Sequence, residues 1–284
     1  MNTKFIPAIL ALTFTLALAS MACGFEMPKA PEPGPEVTEK ISISAPDSGS
    51  VNLKLAFGAG EMTLAPGAEK LVEGTATYNY SAFKPVTKTK GSNVEIGMSE
   101  VDFNVLPTFK SLKNTWDLKL GGSPMNLTIE AGAYKGRLEL GGLALENLTI
   151  KDGAAEVELA FSEPNQAEMS VLQYETGASD VKMSGLANAN FGLMDFSSGA
   201  GDYTLDFSGD LKRDASISIS SGLSNLIIIV PEGVNAVITM DSGASNISAG
   251  SGWEQNGNIY TQKGEGPILT FVINIGAGNV TLTR

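Results

Sequence analysis

Histidine is missing from all 284 residues. Its absence removes Ser-His and Cys-His nucleophile systems and every imidazole metal ligand. Zinc would have to rest on carboxylates alone, a poor set for that ion. There is one cysteine, Cys23, so no intramolecular disulfide can form. Basic residues are scarce. Nineteen Lys and Arg stand against 31 Asp and Glu, a net charge of −12 that argues against nucleic acid and anionic lipid heads as partners. Arginine is rarer still: Arg137, Arg213 and Arg284 are the only three. Beyond the N-terminal segment no apolar run reaches membrane-spanning length; Leu226 to Val230 is five residues. No long segment there has helical periodicity either, so the helix content is expected to be very low.

What the chain does have is one phrase repeated eight times. Two apolar residues two apart precede a glycine, and two more follow it. The glycines are Gly58, Gly132, Gly153, Gly177, Gly199, Gly222, Gly243 and Gly276. Before them stand pairs such as Leu127/Ile129, Leu172/Tyr174 and Phe271/Ile273; after them stand Val157/Leu159, Tyr203/Leu205 and Val280/Leu282. Only Gly136, four residues after Gly132, breaks the apolar pattern. Period-2 apolarity on both sides of a glycine describes two half-buried strands meeting at a corner. From Gly132 to Gly243 the corners recur every 21 to 24 residues, the signature of a stacked solenoid.

The N-terminus reads as a signal segment over residues 1–22: Lys4, then an apolar stretch from Phe5 to Ala19, then Ser20-Met21-Ala22 before Cys23. This arrangement resembles a bacterial lipobox, with Ser20 where that pattern usually has Leu. The resemblance implies that Cys23 is acylated and becomes the first mature residue; ordinary secretory cleavage at the same bond is the alternative. Residues 23–49, with Pro28, Pro31, Pro33, Pro35 and Pro46 among Glu and Ser, read as a semi-extended tether. Residues 50–115 carry the first copy of the repeat and then lose its rhythm, which suggests an N-terminal β-rich cap. Residues 116–284 read as the solenoid, with rungs about 4.8 Å apart. One interval, Gly243 to Gly276, is about ten residues longer than a rung needs. Asn256-Gly257 within it predicts a hairpin over 251–267 carrying Trp253 and Tyr260. Those two aromatics are the candidate binding residues. Alternatively, Trp253 folds back over the apolar outer face at Ile227 and Ile229.

Three residues after the corner glycines come Glu61, Lys135, Glu156, Asp180, Asp202, Asn225, Asn246 and Asn279. Three acids on consecutive rungs repel unless a cation or a base relieves them, so calcium held by oxygen ligands is one reading. The other is that Asp and Asn suit turn-adjacent positions and the amides form a ladder. Of the arginines only Arg213 lies near this column, either as the base of a calcium-dependent polysaccharide lyase or as a neutraliser of Asp210 or Asp214. Gly-Ala-Gly at 58–60, 199–201 and 276–278 lacks the following helix that a phosphate cradle requires. Asn126, Asn147, Asn246 and Asn279 stand in glycosylation-type triplets but suit strand-edge polar positions.

Several phrases carry a family resemblance: Phe57-Gly-Ala-Gly-Glu-Met-Thr-Leu64, Leu71-Val-Glu-Gly74, Trp116-Asp-Leu-Lys-Leu120, Thr176-Gly-Ala-Ser179, Ser197-Ser-Gly-Ala-Gly-Asp202 and Ile275-Gly-Ala-Gly-Asn279. Through them most of residues 50–284 resembles the bacterial toast-rack proteins and the related candidate adhesins and LiaF-type cell-wall stress proteins. The expected fold is all-β: a right-handed, single-stranded β-solenoid with an N-terminal β-rich cap. The expected role is a non-enzymatic extracytoplasmic envelope scaffold or adhesin-like module. It would be held at a membrane by acylated Cys23 and bind an envelope protein or glycan without cofactor, metal or catalytic residue. An accessory regulator of envelope stress signalling is a second reading and the lyase a third. The terminal strand ending at Arg284 would leave an open edge able to pair with another copy.

Overall fold

A computed structural model describes residues 33–47, 49–99 and 112–284; the signal segment and Cys23 lie outside them. The two short 3-10 turns, Ser81–Phe83 and Leu186–Ala189, are the only helical elements among these residues. The rest is strand and connecting coil.

Seven long strands run straight through a corner glycine, the first five being β2 (Val51–Pro66), β7 (Met125–Glu139), β10 (Met169–Ser184), β11 (Phe191–Asp206) and β12 (Ala215–Ile229). One rung is split at Gly153 into β8 (Leu145–Asp152) and β9 (Ala154–Ala160). Two further rungs are β13 (Val234–Ala249) and β16 (Glu265–Thr283). Neighbouring rungs pair in parallel, as in Leu172↔Met194 and Val181↔Tyr203. Around the corner of β10 the buried positions are Leu172, Tyr174 and Thr176 before the glycine and Ser179, Val181 and Met183 after it. Strict alternation would have buried 178, 180 and 182. This one-residue slip turns the strand so that both arms face the same core.

Glycine stands at each corner because of the rung behind it. A Cβ built on Gly132, Gly153, Gly177, Gly199, Gly222, Gly276 or Gly243 would lie 2.4–3.0 Å from the carbonyl oxygen of the glycine stacked next to it. None of these corner glycines needs a left-handed backbone; close approach alone excludes a side chain. Gly136 has a related reason. The Tyr134 ring occupies the core space in front of it, 2.7 Å from where a Cβ would sit.

At the N-terminal end, short strands dress both arms of β2. On the first arm lies β5 (Asn93–Met98), which carries β4 (Pro85–Lys90) antiparallel. On the second arm lies β6 (Asn114–Leu120), followed outward by β3 (Val72–Tyr78) and β1 (Val37–Ile43). Two expected boundaries change. Residues 37–43 are a strand with Ile41 buried, so the tether cannot extend to residue 49. The division at 115/116 cuts through β6, because β2 packs directly on β7 and the N-terminal β-rich cap is continuous with the stack.

The larger correction is at the other end. The rungs do not stack in chain order, because β16 lies between β12 and β13. After β13 the chain forms a hairpin, β14 (Glu254–Asn256) and β15 (Ile259–Gln262), and β15 pairs antiparallel with β13 over Ala236–Thr239. The chain then crosses to the inner side of β13. Packing favours this order. β16 brings Phe271, Ile273, Val280 and Leu282 to the core, whereas the second arm of β13 offers only half-buried Ile247 and exposed Ala249. The open edge is therefore Ser242–Ala249 of β13, and the strand ending near Arg284 is paired on both sides.

Candidate functional site

Parallel in-register rungs place like positions in rows on the outer faces, and these rows are the chain's main chemical display. On the second arms the row runs Glu61, Lys135, Glu156, Asp180, Asp202, Asn225, Asn279, Asn246. Lys135 Nζ sits 2.7 Å from Glu156 Oε1, which holds that carboxyl below its ordinary range and the ammonium above its own. Asn225 donates to Asp202 at 2.7 Å, Asn279 to Asn225 at 2.6 Å and Asn246 to Asn279 at 3.3 Å. The acids are thus met from both ends, by a lysine and by an amide ladder. Among the described residues no three metal-ligating side chains converge as an ion site. Arg213 does not reach Asp210 or Asp214. Its guanidinium donates to the carbonyls of Met169 and Asn190 and lies 3.6 Å from Glu168, bracing the return coil.

On the first arms a second ladder crosses the N-terminal strands. Asn147 donates to Asn126 at 2.7 Å, Asn126 to Asn52 at 2.8 Å and Asn52 to Asn93 at 2.9 Å. Asn93 in turn donates to the Lys90 carbonyl at 3.3 Å. Beside it Lys54, Lys88 and Lys90 line a cleft of about 450 Å³. Lys54 is tied to Glu130 at 2.7 Å; among the described residues Lys88 and Lys90 have no ion-pair partner. Sequence reasoning missed this site because β4 and β5 stand outside the repeat. Nothing in their spacing shows that Asn93 falls into line with Asn52 and Asn126.

It also missed a buried cluster at one corner. The Asp152 carboxylate accepts hydrogen bonds from Tyr174 (2.7 Å), Thr176 and Ser179 (3.4 Å). Burial pushes its pKa up, and the three hydroxyls partly offset that. Burial likewise raises Tyr134 and Tyr174, further helped by the charge on Asp152. The Tyr134 hydroxyl lies beside that of Tyr174 in this group.

The two predicted contact aromatics are placed differently from a projecting loop. The 251–267 hairpin lies in the sheet as its edge, with β15 extending β13. Tyr260 faces Ile238 across that pairing and is 4 % exposed, so it fills the end of the core and cannot meet a partner. Trp253 is half-buried against the same core end, where its indole N–H has no acceptor. Beneath it Gln262 donates to the carbonyls of Pro231 and Val234 and accepts from Arg284 Nε at 3.0 Å. These residues close the end of the stack. Trp253 thus packs against the core, while Ile227, the outer-face residue it was expected to cover, stays exposed.

Comparison with known proteins gives one family match: residues 32–172 match the N-terminal domain of toast_rack, DUF2154. No curated protein matches the chain. Among solved structures, a candidate cell adhesion protein from Clostridium sporogenes is 18% identical, covering 89% of this chain and 99% of its own, at a TM-score of 0.47. A candidate adhesin from Bacteroides fragilis is 11% identical over 87% of this chain and 97% of its own, at 0.38. A candidate lipid-binding protein from Parabacteroides distasonis is 12% identical over the same shares, at 0.40. None of these three likenesses transfers a function.

Proposed function

Residues 32–172 of this chain belong to the toast-rack family, as its N-terminal domain, and from that premise we propose that the protein is a non-enzymatic binding module of the cell envelope. It presents its outer sheet faces to an envelope glycan or protein. The observation that supports this most is the interlocking of the outward side chains. The amide ladders and cross-rung ion pairs hold donors and acceptors in fixed rows, one position per rung. Side chains already ordered in the free protein lose little entropy on binding, so weak contacts repeated along a row can add up. In the same reading Cys23 carries a lipid that tethers the module outside the cytoplasm, and the open edge of β13 admits a second copy.

The test is capture by the full-length protein from its own solubilised membranes, with Cys23→Ser as the control, followed by mass spectrometry and glycan analysis. The expected result is saturable recovery of an envelope component, with incorporation of a labelled fatty acid that the variant loses. Conversion of a pectin-like polymer to unsaturated products would sink the non-enzymatic reading. Recovery of a sensor kinase with the acylated form alone would move the protein to stress signalling.

A further inference from the structure

The cleft at the N-terminal end carries the most specific chemistry outside the core. Register sets it up. Lys90, Asn93, Asn52, Asn126 and Asn147 fall in one row, and Lys88, Glu95, Lys54 and Thr128 in the next. The four amides donate in one direction, Asn147 to Asn126 to Asn52 to Asn93. Each spends one N–H of its side chain on the ladder and keeps the second for a ligand. The result is a line of oriented donors about 4.8 Å apart, beginning beside two ammonium groups. Lys54 is neutralised by Glu130 and Glu95 stands opposite Lys88, so Lys90, which faces Asn93, carries the least compensated charge and Lys88 adds to it without a formed ion pair. At physiological salt the Debye length is about 8 Å, so the distant acids of this −12 chain are screened there while contacts within the cleft are not.

We infer that this cleft binds a linear glycan bearing carboxylates, lying along the asparagine row with its acid groups at Lys90 and Lys88; the inference rests on the binding-module reading above. Hydroxyls spaced along a sugar chain suit amides that can donate and accept side by side, and carboxylates suit the paired ammonium groups. An acidic peptide fits less well. Its backbone would seek a strand edge, and the one beside this row, the outer edge of β4, starts with Pro85, while the asparagines lie on the face of paired strands.

The experiment titrates the full-length protein with oligogalacturonate and, in parallel, with its fully methyl-esterified form, which keeps the sugar chain and removes the charge. Binding of the acid form is expected, with at least tenfold weaker binding of the ester and a loss of affinity as salt rises. Lys88→Glu with Lys90→Glu should weaken acid binding at least tenfold, and Asn126→Ala should weaken both forms. The charge-matched control Lys182→Glu with Lys212→Glu, at exposed sites elsewhere, should leave binding unchanged. Thermal melting of every variant separates lost binding from lost fold. Equal binding of acid and ester, or an equal effect of the control pair, would overturn the proposal. So would aggregation of the Lys88/Lys90 variant with binding intact, since that would reassign these lysines to guarding the β4 edge. Failure to bind oligogalacturonate while the membrane capture still recovers a partner sinks this inference alone; failure of both sinks the binding-module reading with it.

Discussion

Gly177 and Asp152 show what single side chains can do at a corner. An alanine methyl at Gly177 would lie 2.4 Å from the Gly153 carbonyl, and that oxygen is fixed by the hydrogen bond it accepts from Ala178. Gly177→Ala should therefore cost about 1–3 kcal/mol, as overpacking usually does. Gly122→Ala, with open space around the new methyl, should change urea stability little. Equal effects would show that the corners tolerate side chains. At Asp152 the raised pKa fixes a sign. The native state holds that proton more tightly than the unfolded chain does, so this group's contribution to stability falls as pH rises from the unfolded to the native value. Above both values the penalty is complete. Asp152→Asn removes the charge and keeps one oxygen to accept from the hydroxyls that now meet both carboxylate oxygens. At neutral pH the variant should melt no lower than the parent, and its stability should vary less between pH 4 and 7. A clear loss at neutral pH would mean that the charged form stabilises the corner.

At the scale of strands, legibility followed repetition. The corner glycines and their flanking apolar pairs recur so often that arms, corners and inward faces could be read directly, and even the amide ladder of the second arms was visible as a column. The order of the last rungs was not, because spacing along the chain carries no information about which neighbour a strand chooses. That choice turned on the hairpin at Asn256-Gly257, which reverses the chain onto the outside of β13, and on the richer apolar faces of β16. Tyr260 was hidden for the same reason: an aromatic residue in an insertion looks exposed until the insertion is known to be part of the sheet. The topology makes a sharp prediction. Removing residues 265–284 should strip amide-exchange protection from β13 as well, since β13 reaches the stack only through β16. Retained protection of the Gly250 amide, which donates to the Leu282 carbonyl of β16, would show that β13 can sit on β12 directly.

Across the whole molecule the two ends are unlike. The outer strands at the N-terminal end carry Pro85, Lys88 and Lys90 on β4 and Lys40 on β1, devices that discourage strand pairing between chains. At the other end the protection given by β15 and its turn stops at Met240, and Ser242 to Ala249 offers an edge without a single charge. Self-association through that edge should appear as a concentration-dependent sedimentation coefficient, and Ile247→Lys, an inward charge on an edge strand, should reduce it. Unchanged sedimentation in the variant would place any contact elsewhere. The inserted strand has a further consequence in time. On the export reading, a chain threading out of the membrane N-terminus first can lay each rung on the one before it as far as β12, since every seat is ready when its occupant arrives. The next rung to be made, β13, has no seat until residues 265–283 exist. Assembly of the stack is therefore vectorial for most of its length and ends on a step that cannot begin until the last rung has arrived, which leaves β13 waiting unpaired until then.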